Sequence, residues 1–176
     1  MVFWPGDAPE IFISYIHEDE IVAKALKRLL EAKLGPVRVF LASDHLRLGD
    51  EWLSTIRAAL KSAKVILALF SPEAIDRPWV NFEAGGAWFS DEKRLIPICI
   101  GNLSPANLPK PYSNIQGATL DASQAWYIVK DLWLVLEKGA LVPPPFHNDE
   151  NVKALSEALH RWKLGPDAGP YPAPKT

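Results

Sequence analysis

Ile11-Phe12-Ile13-Ser14-Tyr15-Ile16-His17-Glu18-Asp19-Glu20 is the stretch that decides the fold. Its first half is β-branched, aromatic or apolar at nearly every position, the composition of a strand covered on both faces. The change to His17-Glu18-Asp19-Glu20 marks a helix start, because acids in a first turn meet the positive end of the helix dipole. Ile21, Val22, Ala25, Leu26, Leu29 and Leu30 then recur at helical spacing, with Lys24, Lys27, Arg28 and Glu31 on the other face. Gly35-Pro36 ends that helix.

The same alternation continues outward. Val37 to Leu41 reads as a second strand, Ala42 to Gly49 as a polar loop, and Asp50 as the cap of a helix with Trp52, Ile56, Ala59 and Leu60 on its apolar face. Val65 to Phe70 is a third, wholly apolar strand. Ser71-Pro72 offers a cap followed by proline, which predicts a short helix interrupted before Pro78. A new helix then carries Trp79 to Phe89. Leu95 to Ile100 is a fourth strand whose Pro97 predicts a strand start or a sheet edge. A Pro- and Asn-rich loop covers 101–114, a short fifth strand lies near Ile115 to Leu120, and a helix runs from Ser123 to Glu137. Beyond Pro143-Pro144-Pro145, Val152, Leu155, Leu159 and Trp162 mark one more amphipathic helix, over Asn151 to Lys163.

Alternating strands and helices predict an α/β fold, a doubly wound parallel sheet of five strands with helices on both faces and an extra C-terminal helix. The expected division is an N-terminal extension at 1–9, the domain at 10–138, a C-terminal helical appendage at 139–165 and a disordered tail at 166–176. In such folds ligands sit beyond the carboxyl ends of the strands, near a switch in strand order. The loops after Tyr15, Leu41 and Phe70 emerge there.

Composition narrows the function. The chain has 176 residues, 48% hydrophobic and 23% charged, with a net charge of −2. That is globular composition with no basic stripe for nucleic acid. Cys99 is the single cysteine, so neither a disulfide framework nor a CxxC metal pair exists. No apolar run approaches a membrane span, and the first residues lack the pattern of a signal peptide. A soluble, cytoplasmic protein is expected. No GxGxxG, Walker-type loop or GxSxG elbow is present, which removes support for dinucleotide redox, phosphate-loop and α/β-hydrolase chemistry. A phospho-acceptor receiver would want an aspartate at the end of strand three, where Phe70-Ser71 stands.

One segment then stands out. Between Arg77 and Asp91 the only ionisable side chain is Glu83, among Trp79, Phe82, Trp88 and Phe89. On a helix Trp79 and Glu83 lie one turn apart on one face. A carboxylate desolvated against rings is costly unless something binds it, which makes Glu83 a site candidate. A rim residue reaching water fits the pattern equally well.

Phe12-Ile13-Ser14-Tyr15, the Ser43-Asp44 loop with Gly49 and Trp52, Phe70-Ser71, and Trp79-x-x-x-Glu83 occur in this order, and together they resemble the Toll/interleukin-1 receptor (TIR) domain family, specifically its bacterial, NAD-cleaving branch. The resemblance spans Glu10 to Glu137 and implies a flavodoxin-like fold. It also implies one of two activities. Some TIR domains are non-catalytic adaptors that assemble through the loop after the second strand, here Ser43 to Gly49. Others cleave NAD+ between nicotinamide and ribose, with a helix glutamate preceded one turn earlier by an aromatic, the positions of Glu83 and Trp79.

On that reading Glu83 is catalytic, and Ser14, Tyr15, Ser43, Asp44, Trp52 and Trp79 contact the substrate. NAD+ is the substrate rather than a cofactor, and no metal is called for. The resemblance further implies self-association through TIR–TIR contacts, a nucleotide product sensed by a downstream effector, and a place in antiphage signalling of the Thoeris type. Neither nucleic acid nor membrane is an expected partner.

Overall fold

β1 (Ile11–Tyr15) is buried along its whole length and pairs in parallel with β2 (Val39–Ser43) on one side and β3 (Val65–Phe70) on the other. A computed structural model describes residues 8–43, 50–77, 93–139, 145–146 and 148–165, without the side chains of 50–53. β4 (Arg94–Cys99) and β5 (Ala118–Thr119) complete a parallel sheet of order β2-β1-β3-β4-β5. The order in which strands are added reverses between β1 and β3, which is the switch point of a flavodoxin-like doubly wound fold.

The helices cover two faces. α1 (Glu20–Lys33), α3 (Ala125–Val135) and α4 (Glu150–Leu164) share a core with Ile11, Ile13, Tyr15, Leu67, Leu69 and Ile98. α2 (Asp50–Ser62) lies on the opposite face, where Ile56 and Ala59 pack with Phe12, Ile66, Phe70 and Cys99. Strand residues alternate between these two clusters as the period of two requires. α4 is fully part of the first core: Leu155 is 0% exposed, with Ala158 and Leu159 buried beside it. Its start is fixed by Asp149, whose side chain accepts from the backbone N–H groups of Asn151 and Val152 at 2.9 and 3.3 Å and also binds Lys33 Nζ of α1.

Three local expectations are corrected. β2 begins at Val39, not Val37, because Gly35 at φ 74° and the Val37 N–H to Gly35 carbonyl bond hold a turn ahead of the register Ile11–Val39. Ala42 and Ser43 are therefore strand, not loop. The segment after β3 is a run of turns, not a helix, with Ala74 N donating to both Ser71 O and Ser71 Oγ at 3.0 and 3.2 Å.

Pro97 is the third correction. It stands inside β4, a strand flanked on both sides. Its carbonyl faces Gly117, where a Cβ would come within 2.5 Å of that oxygen, so its missing N–H points the same way. β5 pairs only with Ile98 and Cys99, so no ladder bond is lost.

The open edge at β2 is also occupied. Val39 N donates to Glu31 Oε1 at 3.1 Å, and Val39 O accepts from Lys27 Nζ at 2.7 Å, both from α1. No helix of the described residues is long and apolar enough to cross a membrane. The segments 1–7 and 166–176, read as an extension and a tail, lie outside the described residues, as do 44–49 and 78–92.

Candidate functional site

The carboxyl ends of β1 and β3 meet at the switch point, and the residues there divide by face. Ser14 sits in register with Ala42 of β2 and Ala68 of β3, and Ala68 in turn with Pro97 of β4. Partners in register point to one side of a parallel sheet, so Ala42, Ser14, Ala68 and Pro97 form a row of small side chains on the α2 face. Large residues border the row, with Phe12 and Phe40 stacked at 5.5 Å on one side and Phe70 on the other. Ser14 is completely buried, and its hydroxyl has no hydrogen-bond partner among the described residues. A buried hydroxyl without a partner is unusual and costs about 1–3 kcal/mol.

Tyr15 and Ser43 are elsewhere. Tyr15 turns to the opposite face and joins the core under α1, 4% exposed, and Ser43 pairs with it in register. The sequence grouped Ser14, Tyr15 and Ser43 around one ligand. The pleat separates Ser14 from the other two, because adjacent strand residues alternate in direction. Asp44, Trp79 and Glu83 lie outside the described residues, and so does the side chain of Trp52.

A second group at this edge was not anticipated. Asp19 is 0% exposed; its Oδ1 accepts from Trp162 Nε1 at 2.8 Å, and its Oδ2 has no partner among the described residues. Burial raises its pKa from 3.8 to about 6, with the nearby Ser71 hydroxyl and the Trp162 N–H lowering it and Glu73 and Glu18 adding to the rise. Nothing in the His-Glu-Asp-Glu run signals that one acid turns inward. Trp162 read only as the last apolar position of an amphipathic helix.

Cys99 is buried on the α2 face, and burial pushes its thiol up to about 11. It is therefore a thiol, not a thiolate nucleophile, at neutral pH. Among the described residues no group of three or more His, Cys, Asp or Glu could hold a metal ion. A cavity of about 1100 Å³ among the described residues opens between β4, β5 and α3, lined by Ile96, Ala118 and Leu132.

The sequence pattern of the TIR domain matches residues 11–128, about two thirds of the chain. The chain belongs to the TIR-domain family. The match takes in all strands of the sheet, α1, α2 and the first turn of α3. α4 lies outside it, although in this TIR domain α4 shares the core of β1. No curated protein matches the chain. Glu83 and Trp79 fall within the matched stretch, on the chain between β3 and β4.

Proposed function

We propose that this TIR domain is an NAD+ glycohydrolase in which Glu83 is the catalytic carboxylate. The observation that carries the reading is Trp79-x-x-x-Glu83 inside the matched stretch, on the segment that leaves the carboxyl end of β3. Glu83 is the one ionisable side chain between Arg77 and Asp91, so negative charge there is concentrated on a single group. The unpartnered Ser14 hydroxyl supports the same reading, since it is an unused hydrogen-bonding group beside the switch point.

The chemistry asks little of the protein beyond that carboxylate. Cleavage of the bond between nicotinamide and ribose develops positive, oxocarbenium-like charge on the sugar, which a fixed carboxylate stabilises. The same group can accept hydrogen bonds from the ribose hydroxyls and orient the ring. Nicotinamide departs as a neutral base, so no strong acid is required. Water, or a nitrogen of the adenine, then captures the ribosyl carbon to give ADP-ribose or a cyclic isomer. Trp79 and Trp52 supply aromatic surface for the heterocycles, Ser14 and Asp44 polar contacts. The role proposed for Tyr15 and Ser43 is support of the adjoining loops, since both belong to the other side of the sheet.

Nicotinamide release from NAD+, followed at high protein concentration so that assembly is not limiting, tests the proposal. Glu83→Gln with an unchanged circular dichroism spectrum should lose activity by about two orders of magnitude or more. Turnover like that of the parent in the folded variant refutes the role of Glu83. No release by the parent chain under any condition of assembly points instead to a non-catalytic interaction module.

A further inference from the structure

We propose that α4 is a strap across the carboxyl edge of the sheet, held by Trp162 against Asp19 and loosened when that carboxyl group loses its proton. The contacts are specific. The indole N–H of Trp162 reaches Asp19 Oδ1 at 2.8 Å, from the last turn of α4 to the turn that follows β1. The far rim of the same ring lies over Gly101, just past β4, where a Cβ would meet Trp162 Cη2 at 3.0 Å and Pro72 Cδ at 3.6 Å. One side chain therefore ties together the segments that follow β1 and β4. Gly101 is at φ 73°, so both its backbone and the ring above it favour glycine.

The protonation argument starts from Asp19 Oδ2, fully buried and without a partner among the described residues. A buried carboxylate needs more hydrogen bonds than the indole and the nearby Ser71 hydroxyl supply, whereas a neutral acid does not. The surrounding charges push the same way. Glu18 on the same turn and Glu73 on the β3 loop both favour the neutral form. Arg77 is engaged with Glu18 at 2.9 Å, and Glu20 of α1 with Lys24 at 3.1 Å. His17 before it, and His160, Arg161 and Lys163 beside Trp162, are exposed, and residues 100–104 carry no charge. The indole N–H by itself favours the ionised form, so the pH effect rests on burial, the larger influence: opening that returns the carboxyl group to water releases a proton and is favoured by rising pH.

Hydrogen–deuterium exchange of the full chain at about pH 5 and about pH 7 tests this, with rates corrected for intrinsic amide chemistry and α4 referenced to β1. The raised affinity of Asp19 for its proton makes opening of α4 roughly ten-fold more frequent at the higher pH. Asp19→Asn should abolish that difference while keeping His17 and His160, so any contribution from those groups survives in the variant. Trp162→Phe, which keeps an aromatic ring but no donor, should lower protection of α4 at both pH values. Three results would each overturn the proposal: protection of α4 in the parent chain that does not change with pH, a pH effect equal in Asp19→Asn, or full protection in Trp162→Phe.

Discussion

Asp19→Asn should make the protein more stable at neutral pH, although it removes a charge from the start of a helix. The magnitude follows from the carboxyl group's environment. Its pKa is raised by burial from 3.8 to about 6, so the folded state holds a proton more tightly than the unfolded chain. For a raised pKa, the stabilisation is complete below the unfolded value and disappears as pH climbs through the folded one. At about 1.36 kcal/mol per pH unit, the interval from 3.8 to about 6 corresponds to about 3 kcal/mol lost between acid and neutral conditions. Asparagine keeps an acceptor for Trp162 and has nothing to ionise. It forgoes the favourable interaction of a charge with the N-terminus of α1, on the order of 0.5 kcal/mol. Urea titrations of both proteins across about pH 4 to 7 give two stability curves, and their difference should grow by about 2.5 kcal/mol in favour of the variant over that range. Neither curve alone is diagnostic, because Glu10 and Asp149 shift the other way. Parallel curves would refute the burial argument.

Ser14→Ala removes a buried hydroxyl that has no partner among the described residues, so stability should hold or rise by about 1 kcal/mol in urea while the KM for NAD+ increases; a destabilised variant with unchanged KM would mean the hydroxyl serves the fold. Leu155→Ala should cost about 2–5 kcal/mol in the same assay, since the side chain is wholly buried in the core of β1 and α1; a loss below about 1 kcal/mol would make α4 a detachable appendage. Asp149→Ala removes the cap of α4 and its bridge to Lys33, a loss of about 1–2 kcal/mol at neutral pH. The Lys33 hydrogen bond holds the Asp149 pKa below 3.8, so this contribution is present above that value and fades as pH falls through the lowered one. A cost that persists unchanged in acid would point to the backbone rather than the carboxylate.

The sheet was legible because its signals are local. Apolar runs such as Val65 to Phe70 and helical spacing such as Leu26, Leu29, Leu30 reflect periodicities that each element carries alone. The offset of β2 was not, because its start depends on pairing with Ile11 across the sheet. Pro97 misled for the same reason: the rule concerns a missing N–H, and only the brevity of β5 makes that loss harmless. At the site, Ser14 and Tyr15 are adjacent in the sequence, but the pleat puts them on opposite faces, with Ser43 on the side of Tyr15. Asp19 stayed hidden because its partner is Trp162, far along the chain, and a contact of that range leaves no mark in either sequence neighbourhood. Glu83 and Trp79 rest on spacing within a family pattern, a kind of signal that needs no tertiary context.

The two margins of the sheet carry a consequence for how copies of this chain can meet. At β2, the first rung is already taken by Lys27 and Glu31. At the other margin, β5 offers only Ala118 and Thr119. Unsatisfied strand backbone is the usual template for runaway β-aggregation, and here little of it is on offer. Among the described residues these margins favour assembly through side-chain complementarity between helices and loops, which can be reversed, over a growing ladder of main-chain bonds, which cannot easily be undone.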